Sequence, residues 1–169
     1  MFIAIVQHTP AWVWGLLAAL TALGLSQTQP RTVSLVRVTV LPLVLIGLSL
    51  TGVFSAFGHF PVALGGWAAG FGVALTFARS AVAVRGASWI ESRNMIHVPG
   101  SWLPLVLILT LFAIKYVAGV NLAMHPELHG NATFAGLCSL GYGFFSGLFL
   151  ARALSLRSLA PRSGLLGTT

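Results

Sequence analysis

The sequence predicts an all-α membrane protein of five transmembrane helices, N-terminus outside and C-terminus inside, with a small cytoplasmic β-hairpin between the third and fourth helices. Three observations lead there. The 169 residues are 57% hydrophobic and only 7% charged, with a mean hydropathy of +0.93, so the chain cannot present a polar surface to water on all sides. A helix crosses a bilayer with about 20 mostly apolar residues, and five such runs stand between charges or Pro/Gly breaks, at about 10–27, 33–58, 61–79, 101–124 and 131–152. Basic residues near helix ends are retained on the cytoplasmic side, and of the nine Lys and Arg residues all but Lys115 fall on one side of a five-span arrangement.

The elements follow in order. The opening "MFIAIVQHTP" has neither a positive n-region nor a small-residue cleavage site, and reads as an outer segment running into helix one rather than a removed signal peptide. Trp12 and Trp14 mark the outer end of that helix and Trp102 the inner end of helix four, as amphipathic rings favour the interface, whereas Trp67 lies a turn inside helix three and is read as packed. Arg31 and Arg37 flank the first inner turn. Helix two contains Pro42, whose missing N–H and ring clash bend a helix; such bends serve packing or open a cavity.

Helix three carries Gly66, Gly70, Ala74 and Ala78 at four-residue spacing, and helix five repeats the device with Ala135, Ser139, Gly143, Gly147, Ala151 and Ser155. In lipid no hydrophobic effect drives helices together, so small-residue faces that let backbones approach supply the dispersion contacts. These stripes are expected to pack the bundle of one chain, against each other, with a homodimer or a membrane-protein partner as the alternative. Cys138 is alone, which excludes an internal disulfide and fits a small buried hydrophobe.

Between helices three and four, "AVAVRGASWIESRNMIHVPGSW" (residues 81–102) is too polar to span. The β-type runs "VAV", "SWI" and "MIHV" around polar "ESRN" predict a hairpin over about 81–98, turning near Ser92 to Asn94. Pro99 and Gly100 end it, and Ser101 is placed to cap helix four. The hairpin ties two helix ends together or docks a partner.

"HTPAWVWGLLAALTALGLSQTQPRTVSLVRV" and "VPGSWLPLVLILTLFAIKY" resemble segments of a family of uncharacterised bacterial integral membrane proteins known only as a domain of unknown function; His8-Thr9-Pro10, Arg31, Val98-Pro99-Gly100-Ser101 and Lys115-Tyr116 carry the likeness. The resemblance implies a multi-pass protein of the bacterial inner membrane and supplies no catalytic residues. The architecture is also loosely similar to accessory membrane proteins of cytochrome c biogenesis, without a matching motif.

Lys115 sits inside "LFAIKYVAG", about 21 Å from the inner end of helix four and about 14 Å from the outer end at about 1.5 Å per residue. A lysine at that depth costs about 2.5–3.5 kcal/mol on insertion scales. The chain has two acids, Glu91 in the hairpin and Glu127 in the outer loop, and neither is at its level. Three arrangements answer the charge: a neutral lysine, one solvated by carbonyls, hydroxyls and water, or one paired with an anionic ligand or lipid. The plainer account is a lysine snorkelling outward or capping carbonyls. Tyr116, Tyr142 and Asn121 are the candidate neighbours, with Tyr142 at comparable depth able to supply a hydroxyl.

His8, His59, His125 and His129 are all assigned to the outer face, with Glu127. Imidazoles with a carboxylate suit Zn(II) or Cu(II), or titrate as an external pH sensor, or simply sit at headgroup level. Pro126 interrupts the His125/His129 spacing.

No nucleophile-elbow, zinc-protease, paired-cysteine or phosphate-loop signature is present, and none requires a cofactor. The arginines lie at helix ends rather than in an aromatic-interleaved stripe, so the net charge of +7 reflects topology and anionic lipids at the cytoplasmic face, not nucleic acid. The expected function is binding or transport of a small molecule, anion or lipid in an intramembrane cavity near Lys115. A non-catalytic accessory or assembly subunit of a membrane complex is the alternative, then external metal binding or pH sensing, with an enzyme further behind.

Overall fold

Local chemistry sets where the helices begin. In this computed structural model, which describes residues 9–58, 61–81, 84, 86–93 and 95–160, with side chains undescribed at 78–81, five α-helices form: α1 (Ala11–Ser26), α2 (Leu35–Phe57), α3 (Pro61–Ala81), α4 (Leu103–Met124) and α5 (Ala132–Arg157). Ser34 Oγ accepts from the Arg37 N–H at 3.3 Å to cap α2, and Asn131 Oδ1 accepts from the Phe134 N–H at 3.0 Å to cap α5. Ser101 Oγ accepts from the Leu103 N–H, but the cap position itself is Trp102, one residue later than expected. Three helices, α2, α4 and α5, are long and apolar enough to cross a membrane; α1 and the Pro61–Phe77 part of α3 are apolar over shorter lengths. The last helix runs to Arg157, beyond the expected end near residue 152.

The expected hairpin is present as β2 (Ser88–Ile90) and β3 (Met95–Val98), joined by a 3-10 turn over Glu91–Arg93, with Trp89 opposite Ile96. Of the "VAV" run, Val82 and Ala83 lie outside the described residues. The sequence missed a third strand. Arg31–Ser34, read partly as the start of helix two, is β1 and pairs antiparallel with β3, giving the order β1-β3-β2. A two-stranded hairpin is marginal alone, and β-branched Thr32 and Val33 suit the free edge that β3 offers.

That strand fixes the direction of an arginine. Side chains alternate across a strand and opposed residues share a face, so the pairs Arg31 with Val98 and Val33 with Ile96 lie on one side. Val33, Ile96 and Val98 on that side are buried with Val38 of α2 and Leu156 of α5. Arg31 is therefore carried on the sheet's helix-facing side.

The sheet is pinned to the bundle where two loops cross. The Ser101 N–H donates to Gln27 O at 3.0 Å, and a Cβ at Gly100 would run into the Thr28 carbonyl. Gly100→Ala is expected to cost about 1–3 kcal/mol, since only backbone can give way there; unfolding in mixed micelles measures it, and an unchanged midpoint would mean the crossing is loose.

The helices form two unequal groups. α3 packs along α5 more extensively than any other pair, and α2 leans on α5. At the α3–α5 seam, Gly66 faces the Gly136 carbonyl, Gly70 that of Leu140, Gly143 that of Trp67, and Gly147 meets Ala74 and Phe71. Ser139 and Ala151 are buried in the same seam, the Ser139 hydroxyl without a hydrogen-bond partner among the described residues. The side chain of Ala78 lies outside them. Trp67 Nε1–H donates to Ser49 Oγ at 3.1 Å, and Ser49 donates to Tyr142 O at 3.5 Å, which ties α2, α3 and α5 together. α1 packs instead on α4, with Gly24 against Leu105, and α4 touches α5 only lightly. The α1–α4 pair consequently leaves a gap beside α2 and α5, which α4 meets only where Ala118 and Leu122 pack with Val53, Phe57 and Tyr142.

Candidate functional site

The gap between the two groups is a cleft of about 1100 Å³. Its walls are apolar: Leu16 and Leu20 from α1, Leu41 and Leu45 from α2, Ile108 and Phe112 from α4. Pro42 also lines it, so the proline noted in the sequence lies where α2 borders the opening. At the end away from the sheet, the hydroxyls of Thr9 and Tyr116 are hydrogen-bonded at 2.7 Å, and Tyr116 stacks on Phe112 with centroids 6.2 Å apart.

Four cationic residues line the cleft, Arg31, Arg37, Lys115 and Arg152, and no acidic residue does. Three of them cluster at the sheet end. Arg31 arrives from β1 by the register described above and donates through Nη2 to Gln27 Oε1 at 2.9 Å. Arg37 lies in the first turn of α2, and Arg152 lies one turn before the Leu156 that packs under the sheet. Arg37 is near enough to act on the Arg31 guanidinium, and Arg31 on that of Arg152. Burial first, and then the neighbouring Arg37, pull the Arg31 guanidinium below its ordinary value. Sequence reasoning explained these arginines by topology alone and did not bring them together.

Lys115 has a more specific setting than the sequence suggested. Its Nζ lies 4.5 Å from the centroid of the Tyr142 ring and so close to Gly52 that a Cβ there would approach to 2.9 Å. Neither Gly52 nor Tyr142 lines the cleft, so the ammonium is turned into the wall. The partner expected from Tyr142 was its hydroxyl; the structure offers the ring face, worth about 0.5–2 kcal/mol to a desolvated cation. Asn121 stands apart from this group: its Nδ2 donates to Val117 O of its own helix at 2.7 Å, and it does not line the cleft.

At the opposite end from the sheet, His125 Nδ1 donates to Glu127 Oε1 at 3.1 Å, and His129 Nδ1 donates to Pro126 O at 3.1 Å. A hydrogen bond from its own backbone N–H, with His125 adding, holds the exposed Glu127 carboxyl below the usual carboxylate range. The two imidazoles thus take different partners. Among the described residues no three His, Cys, Asp or Glu side chains are grouped to hold a metal ion, and His8 and His59 lie outside those residues.

These features define a helical bundle with three membrane-length helices and a cationic, apolar-walled cleft. The chain belongs to a family of unknown function, DUF6622, whose model matches residues 1–164. No curated protein and no solved structure matches it.

Proposed function

We propose that this is a five-span protein of the bacterial inner membrane, N-terminus outside and sheet in the cytoplasm, that binds an amphiphilic small molecule or lipid in the cleft bordered by Lys115. The carrying observation is the cleft itself, whose volume of about 1100 Å³ exceeds the usual small-molecule range of about 300–1,000 Å³ and whose lining combines mainly apolar walls with four cationic residues and no acidic one. The distribution of charge supports the orientation: Arg31, Arg37, Arg93, Arg152 and Arg157 belong to the sheet end, and Glu127 to the other. An accessory role through the glycine stripes is less well supported, because α3 and α5 spend those faces on each other.

Gly119 provides the test. It lines the cleft, and a Cβ there meets nothing within 4 Å, so the side chain of Gly119→Phe starts in open space and narrows the cleft. Wild-type protein in non-ionic detergent is expected to bind a neutral pyrene-labelled fatty alcohol saturably at one site, and Gly119→Phe to weaken it by about tenfold or more. Equal affinity in the variant would remove the cleft as the site.

A further inference from the structure

We propose that the ligand is an anionic, phosphate-headed acyl lipid, its headgroup held at the sheet-side mouth by Arg31, Arg37 and Arg152 and its chain laid along the apolar wall toward Lys115. This rests on the cleft being the ligand site and goes further by assigning the headgroup to the arginines rather than to Lys115.

Three separate elements bring like charges to one opening. Their mutual repulsion is unfavourable unless an anion lies among them. Among the described residues the chain does not supply one: Glu91 is exposed in the hairpin turn, Glu127 is at the far end, and the sole ion pair is His125 with Glu127. Guanidinium forks match phosphate oxygens in pairs, which a lysine does not. Gln27 already holds Arg31 in place, so less freedom is lost when an anion binds.

The apolar walls indicate what is attached to the anion. Pro104 and Met124 of α4 both line the cleft, and twenty residues of helix give it a length of about 30 Å, the hydrocarbon thickness of a bilayer. Lys115 is eleven residues from Pro104, about 16 Å along the helix and therefore near half that depth. A chain from one leaflet entering at the arginines ends at the level of Lys115, whose ammonium is turned away toward Tyr142 and Gly52. A free inorganic anion would have no use for that wall.

The rival explanation is diffuse attraction of any cytoplasmic arginine for anionic lipid. Arg93 and Arg157 do not line the cleft, so Arg93→Gln/Arg157→Gln removes the same charge as Arg37→Gln/Arg152→Gln at a different place. Protein reconstituted in vesicles of equal phosphatidylglycerol and phosphatidylcholine, then released into mild detergent, is read by native mass spectrometry for retained lipid. Wild type is expected to keep one phosphatidylglycerol with a preference of about tenfold over phosphatidylcholine. Arg37→Gln/Arg152→Gln is expected to lose the preference while still retaining lipid of either kind, and Arg93→Gln/Arg157→Gln to keep it. Arg37→Gln alone serves as a second variant, because that exposed side chain makes no hydrogen bond among the described residues; it is expected to lower the preference by severalfold without altering the fold.

The headgroup assignment falls if wild type shows no preference, or if the Arg93/Arg157 control loses as much as the cleft pair. It also falls if millimolar inorganic phosphate displaces the lipid from wild type and binds equally to Gly119→Phe, which would make the mouth a free-anion site. Failure of the cleft reading looks different: Gly119→Phe would then retain both lipids as wild type does.

Discussion

Gly143→Leu is expected to unfold the bundle outright or to lower its stability by about 3 kcal/mol or more, because a Cβ at this position would overlap the Trp67 carbonyl of the facing helix. That obstacle is backbone, and it cannot rotate aside as a side chain would. Relief requires α3 and α5 to separate, which takes the Gly66, Gly70 and Gly147 contacts with it. In lipid these dispersion contacts are not replaced by a hydrophobic gain elsewhere, so the loss falls on the whole seam. Gly72, also on α3, is the control: a Cβ there meets nothing within 4 Å, and Gly72→Leu is expected to leave the midpoint within about 0.5 kcal/mol of wild type. Unfolding in mixed micelles combined with a mass measurement separates the alternatives. If Gly143→Leu kept wild-type stability and only converted a dimer to a monomer, the seam would belong between chains.

Tyr142→Ala is expected to cost about 3–5 kcal/mol, the range for removing a large buried aromatic. The ring is 4% exposed and packs among Val53, Phe57, Ala118 and Leu122, so truncation opens a cavity where α2, α4 and α5 meet. Part of the cost has a separate origin, because the Lys115 ammonium then loses its π partner. Lys115→Met alone is expected to raise stability by about 1 kcal/mol, as relief of a charge costing about 2.5–3.5 kcal/mol outweighs the lost cation–π contact of up to about 2 kcal/mol. In the Lys115→Met background Tyr142→Ala should be milder by about 0.5–2 kcal/mol, and the double-mutant cycle reads that difference directly. A coupling of zero would mean that the ring does not hold the ammonium.

The same two residues show how far sequence reasoning reaches. Lys115 stood out because a charge inside a long apolar run conflicts with its surroundings wherever the helix packs. Tyr142 was found by depth along the helix, yet which side of it faced Lys115 depends on how α4 and α5 rotate against each other. The glycine stripes were legible for a related reason: four-residue spacing puts small residues on one helix face regardless of context, and the structure brings the two striped faces together. The hairpin was legible from β-type runs around a polar turn. Strand β1 was not, since its pairing with Met95–Val98 joins segments more than sixty residues apart and its Thr-Val-Ser stretch serves equally as a helix entry.

By itself the sequence determined the helices, the small-residue faces, the hairpin and the crowding of arginine at one end, because hydropathy, spacing and charge act locally along a chain. Only the tertiary structure decided the cleft and what surrounds it. A cleft exists because α1 pairs with α4, which meets α2 and α5 only around Ala118 and Leu122, and no local preference encodes that spacing. Arg31, Arg37 and Arg152 become one cluster for the same reason, each adequately explained alone by the side of the membrane and joined only when a third strand turns Arg31 toward the helices.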